Sequence, residues 1–120
     1  MLNLDTHILV DALAGRLAAR EQLLLSGDAW SVSAIVLWEI AKLRQLGRVE
    51  LDLESPEFTR ALGRIHIWPL DLAVCRGTLR LDFKSDPADE IIAATSIVHK
   101  VALVTRDRRI RSSLLVPLAS

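Results

Sequence analysis

Two rhythms alternate along the chain. Met1–Leu4 (MLNL), Ala29–Ser33 (AWSVS), Ile65–Pro69 (IHIWP) and Val101–Thr105 (VALVT) are short apolar or β-branched runs. Runs of that length and character read as buried strands. Between them the apolar positions recur at helical spacing. Ile8 to Leu25 predicts a helical stretch broken near Gly15 and stopped by Gly27-Asp28. Ser33 caps a strongly apolar helix, AIVLWEIAKLRQL, that ends at Gly47. Residues 48–56 read as a loop, and Pro56 opens a helix from Glu57 to about Gly63. Further helices are predicted over Leu72–Leu81 and Asp86–Lys100, and the tail RDRRIRSSLLVPLAS predicts a short helical turn and an edge strand.

Strands separated by helices argue for a mainly parallel sheet covered on both faces, an α/β fold with three α/β/α layers. With 120 residues and no interior linker the chain is expected to form a single domain, 1–120. In such folds ligands bind beyond the carboxyl ends of the strands. Strand one ends in Asp5, and Asp107 follows strand four after Arg106. Helix Asp86–Lys100 enters strand four through a minimal connection and therefore runs antiparallel to it. Its first turn, with Asp86 and Asp89, is then expected near the strand's carboxyl end. Carboxylates from three separate segments converge on one edge.

Composition narrows the chemistry. Fifteen acidic and fifteen basic residues cancel, so any electrostatic function rests on local segregation of charge. Cys75 is the only cysteine, which excludes a disulfide framework and a cysteine zinc site; it is expected to pack as a small apolar residue in a reducing cytosol. Asp5 and Asp11 interrupt the amino-terminal apolar run where a signal peptide has none, and no stretch approaches a membrane span. The protein is expected to be soluble and cytoplasmic.

Each acid has a plainer role to weigh. Glu39 lies among Ile35, Val36 and Leu43 in a helix apolar nearly all round, where an ionised carboxylate is costly unless paired or metal-bound; its bland partner is Lys42, three residues on. Asp86 precedes Pro87 and reads equally as a helix cap or as part of a site. Asp89 can close a capping box, yet the site reading is the stronger one. Glu90 lies at the far side of that helical arc and is expected to be solvated. Thr6 and Thr105, beside the strand ends, either hydrogen-bond a metal water or phosphate or are plain strand residues. Arg106, Arg108, Arg109 and Arg111 form the densest basic cluster and are candidates for phosphate contacts, which give affinity and salt dependence but no sequence choice. Trp30, Trp38 and Trp68 are expected in the core, and His7, His66 and His99 share no ligand spacing.

LDTH at 4–7, SAIVLWEIAKLRQLGRVEL at 33–51 and SDPADEIIAATSIVHKVALVTRDRRI at 85–110, in that order, resemble the PIN-domain family, specifically its VapC-type toxin ribonucleases. The resemblance implies a PIN-like fold. It also implies an Mg2+- or Mn2+-dependent endoribonuclease that hydrolyses RNA phosphodiester bonds as the toxin of a toxin–antitoxin pair. Carried over residue by residue, the metal-binding catalytic acids are Asp5, Glu39, Asp89 and Asp107, with Asp86 as an outer ligand or cap. The family commonly has Arg where this chain has Glu90. Expected partners are RNA, a cognate antitoxin and a second copy in a homodimer. Four acids of this kind hold one ion directly and others through water, or two ions about 3.5–4 Å apart. Two other readings stand beside it: a binding module of the same fold that holds RNA or protein without turnover, and an aspartyl-phosphate phosphotransferase with Asp5 as nucleophile. The latter usually has a second acid two residues on, where this chain has His7.

Overall fold

All four predicted strands form in the computed structural model, which describes residues 1–120. They are β1 (Leu2–Leu4), β2 (Trp30–Ser33), β3 (His66–Trp68) and β4 (Ala102–Val104), paired in parallel in the order β3-β2-β1-β4. Leu4 stands opposite Val104, and the backbone N–H of Asp5 donates to the Val104 carbonyl at 3.1 Å. The chain winds outward from β1 to β3 and then crosses back to place β4 on the other side of β1. Right-handed crossovers put the two sets of helices on opposite faces of the sheet, and the reversal at β1/β4 opens a crevice at the carboxyl ends of those strands.

Seven helices flank the sheet: α1 (Thr6–Ala14), α2 (Ala19–Leu25), α3 (Ala34–Gln45), α4 (Pro56–Leu62), α5 (Leu72–Thr78), α6 (Pro87–His99) and α7 (Arg108–Arg111). The predicted break at Gly15 is present: its φ of 71° is left-handed, which glycine adopts without a Cβ penalty and which ends α1 there. Ser33 caps α3 by accepting from the Ile35 N–H, as its place in the sequence predicts. Helix α5 ends at Thr78, short of the predicted Leu81. The tail supplies α7 and, instead of a full edge strand, one parallel bridge between Leu103 and Leu118.

The core is built from the sheet and the inner stripes of the helices. Leu4, Ile8, Leu9, Val32, Val36, Ile40, Ile92 and Leu103 are all within 1% of complete burial. Asn3, Ser31, Thr95 and Ser96 are polar yet wholly buried among them; the Asn3 amide donates to Ser96 Oγ at 2.9 Å and ties β1 to α6.

Several expectations about individual side chains are corrected here. Helix α3 is not buried all round: Val36 and Ile40 face the core, whereas Trp38 is 54% exposed with the Lys42 ammonium 5.8 Å from its ring. A hydrophobic stripe wider than one inner face has to surface somewhere, and here it surfaces at Trp38. Trp30 and Trp68 are half-buried; Trp30 donates its indole N–H to the Leu25 carbonyl, and Trp68 stacks on His99 at 4.0 Å. Cys75 is exposed, because the inward position of the short helix α5 is taken by Val74. No helix is long and apolar enough to cross a membrane.

Candidate active site

Asp5, Thr6, Glu39, Asp86, Asp89 and Asp107 line one cavity of about 510 Å³ beyond the carboxyl ends of β1 and β4. Residues separated by up to a hundred positions meet there because of the strand order. Asp5 is the whole connection between β1 and α1, so its side chain is fixed by a strand on one side and a helix on the other. Glu39 descends from the second turn of α3, and Asp89 lies in the first turn of α6. Asp107 caps α7, accepting from the N–H groups of Arg109 at 2.9 Å and Ile110 at 3.0 Å.

Hydroxyl groups hold the acids in place. Thr105 donates to Asp5 Oδ2 at 2.5 Å, and the Thr6 N–H donates to Asp5 Oδ1 at 2.8 Å. The Thr6 hydroxyl donates to Glu39 Oε1. Both threonine protons are therefore spent on carboxylates, and these residues orient acids. Ser85, to which the sequence assigned no role, donates its hydroxyl to Asp89 Oδ2 at 2.9 Å. A serine just before a helix reads as an ordinary cap, so the sequence carries no signal that singles out this role.

The two roles open for Asp86 also separate. Its side chain makes no capping hydrogen bond, and it lines the cavity. Glu90, expected to be solvated, is half-buried and reaches back to accept from the Ser85 N–H at 3.1 Å. It takes no part in lining the acidic cavity. The bland partner of Glu39 is absent: Lys42 bonds to Gln45 at 3.3 Å.

Charge accumulates without relief in this cavity. Burial pushes the Glu39 carboxyl above the ordinary glutamate range; Thr6 opposes this, and Asp89 and Asp5 add to it. Burial likewise raises Asp89, against the bond from Ser85, and the negative charges of Asp5, Asp107 and Asp86 add to the rise. Arg106 is the one Lys or Arg lining the cavity, and it is already engaged. Its guanidinium contacts Asp11 and both oxygens of Glu21, each at 2.7 Å. That pairing holds Glu21 down at about 2 and raises Arg106 itself.

No three of these side chains close on a single point; they surround a space. An all-oxygen donor set around such a space, unpaired with any protein cation, suits Mg2+ or Mn2+, which keep several water ligands. The remaining arginines of the basic cluster point elsewhere. Arg108 and Arg109 line a separate cavity with Asp82, and Arg111 lines another with Arg20 and Glu21.

A parallel sheet ordered β3-β2-β1-β4, with acids gathered at its β1/β4 crevice, defines a known class. The sequence profile of the PIN domain matches residues 3–112, and the chain belongs to that family. It is 34% identical over 116 residues to Ribonuclease VapC22 of Mycobacterium tuberculosis, covering 91% of this chain and 88% of that protein. Three solved structures share the fold. A toxin–antitoxin complex from Klebsiella pneumoniae superposes with a TM-score of 0.72 at 20% identity, over 95% of this chain and 92% of that one. VapBC2 from Rickettsia felis, bound to a DNA fragment from its promoter, gives 0.72 at 19% identity, over 98% and 97%. FitAcB from Neisseria gonorrhoeae gives 0.70 at 24% identity, over 100% and 97%.

Proposed function

We propose that the chain is a divalent-cation-dependent endoribonuclease acting as the toxin of a toxin–antitoxin pair. One observation carries the reading: four buried or half-buried acids, Asp5, Glu39, Asp89 and Asp107, face one cavity in which the only cation is already paired. The ribonuclease relative and the toxin–antitoxin structures of the same fold support it. These acids, with Asp86 at the rim, would hold Mg2+ or Mn2+, which would supply an acidified water and neutralise charge on phosphate oxygens.

The chain's own residues prepare that chemistry. Thr105 and the Thr6 N–H aim Asp5, Thr6 aims Glu39, and Ser85 aims Asp89. Asp107 spends one oxygen on the start of α7 and keeps the other for the cavity. In the reaction, water oxygen bonds to phosphorus as the ester bond to the leaving ribose oxygen breaks, and that oxygen departs with a proton. No serine, cysteine or histidine is needed as nucleophile or base. The place two residues after Asp5 is His7, which supplies no second acid for a phospho-aspartyl mechanism. An antitoxin and a second copy of the chain are the expected protein partners, in the cytoplasm; the exposed Trp38 on α3 offers apolar surface for one of them.

The test is cleavage of a pool of cellular RNAs, comparing magnesium, manganese and chelator. Cleavage that EDTA abolishes, and that D5N or D89N removes while the circular dichroism spectrum is retained, is the expected result. Cleavage indifferent to EDTA, or unchanged in both variants, overturns the reading.

A further inference from the structure

A second cavity, of about 530 Å³, adjoins the acidic one, and His7 lines both. It lies at the far ends of the two helices that present the acids. Helix α1 leaves Asp5 and ends at Gly15, and α3 carries Glu39 and ends just before Gly47. Each glycine turns the chain with positive φ, and an arginine follows at once, Arg16 and Arg48. Both arginines line this second cavity, are exposed, and make no ion pair. Of the two acids beside them, Asp11 is held by Arg106, which leaves Glu50 as the one uncommitted carboxylate. The lining is formally balanced, Arg16 and Arg48 against Asp11 and Glu50, where its neighbour is strongly acidic, and both its cations are left without an ion-pair partner. Its apolar lining comes from Val10, Leu43 and Leu51.

Resting on the nuclease reading, we infer that this second cavity holds the single-stranded RNA next to the cut, with Arg16 and Arg48 on its phosphates. The nine residues of α1 at about 1.5 Å rise each separate Asp5 from Arg16 by roughly 14 Å, a reach of a few nucleotides. A volume within the roughly 300–1,000 Å³ of ligand cavities admits a nucleotide, and the apolar wall accepts a base face. His7, exposed at the junction, is a ring on which a base can stack. Phosphate contacts of this kind fix register and carry no sequence choice. The arginines that crowd Asp107 in the sequence are directed to other cavities or already paired, so the assignment moves the phosphate-holding role from them to Arg16 and Arg48.

The test is cleavage of a mixed-sequence single-stranded RNA in manganese over a range of salt. In the R16A/R48A double variant, log(kcat/KM) falls less steeply with log[salt], the slope shrinking by about 1.4, two contacts at about 0.7 each. KM rises while kcat is retained. R16K/R48K restores the slope, and R60A/R76A, which removes equal charge from α4 and α5, leaves it at the wild-type value. A slope unchanged in R16A/R48A, with wild-type cleavage intact, overturns this assignment alone. Unchanged RNA kinetics together with lost binding of an acidic peptide does the same and gives the cavity to a protein. Absence of wild-type cleavage in any divalent salt fails the nuclease reading and takes the assignment with it.

Discussion

Asp89→Asn is expected to stabilise the metal-free protein, the reverse of what most substitutions at a half-buried position do. Asn keeps the shape of Asp89 and still accepts from Ser85, so the perturbation is the charge alone. A sphere of 510 Å³ is about 10 Å across. Two unit charges at that distance repel by roughly 0.4–1.7 kcal/mol between effective dielectrics of about 80 and 20. Asp89 faces four other carboxylates, Asp5, Asp107, Asp86 and Glu39. Screening over a Debye length of about 8 Å leaves a total gain of about 1–2 kcal/mol. For a chain of this size that raises Tm by about 3–8 °C.

The assay is thermal unfolding in EDTA, repeated in manganese. Manganese at a hundred times its Kd adds about 2.7 kcal/mol to a protein that binds it only when folded. Wild type is therefore expected to gain strongly on addition of manganese and D89N weakly, so that their order reverses. The sign with pH follows from the raised Glu39 and Asp89 carboxyls. Above their folded-state values both are ionised in the folded and unfolded chain, and their repulsion costs the fold. As the pH falls through their folded-state values they take up protons before the unfolded chain does, and that cost disappears. The metal-free protein is expected to melt higher at pH 5 than at pH 7. A D89N variant that melts below wild type in EDTA, or that gains as much from manganese, refutes the shared-cavity argument.

Three other outcomes are expected. Removing the donor to Asp5 in Thr105→Val should lower kcat by about ten- to a hundredfold, the worth of a hydrogen bond to a charged group at about 1.5–3 kcal/mol, with Thr105→Ser retaining activity; equal rates for Val and wild type sink the positioning role. Ser96→Ala leaves the buried Asn3 amide only its long 3.5 Å bond to the Ile92 carbonyl and should cost about 1–3 kcal/mol in urea unfolding, a loss absent if the bond is dispensable. Glu21 is held at about 2, below its ordinary 4.5, so its contribution is present above pH 4.5 and lost as pH falls toward 2. Glu21→Gln should flatten the stability profile in that window by no more than about 1 kcal/mol, since Arg106 is 44% exposed; an unaltered acid limb contradicts it.

Much of this was legible without coordinates. The rhythm of MLNL, AWSVS, IHIWP and VALVT gives the strands, and an acid after the first and fourth of them gives the candidate site, because parallel sheets bind ligands at that end. What periodicity does not carry is the outward direction of a side chain on an apolar helix. Trp38 and its neighbours read as core, since the pattern records hydrophobicity and not which face meets the sheet. The basic tail misled for a related reason. Arg106 sits one residue from Asp107, yet its partners Asp11 and Glu21 are some 85 to 95 positions away. Ser85 stayed silent because serine before a helix is common for capping, and only the fold shows which acid it serves.

The passages from strand to helix at the acidic end are very short: a lone residue between β1 and α1, none between β2 and α3, and Thr105 to Asp107 between β4 and α7. Such joints leave no slack for an insertion, whereas residues 46–55 join α3 to α4 outside the acidic cavity. A peptide tag or reporter spliced after Asp52 is thus tolerable, while a single added residue at position 5 would swing α1 and its side chains through about a quarter turn. Architecture of this type lets the periphery be re-engineered freely while locking the geometry of the cleft to the sheet itself.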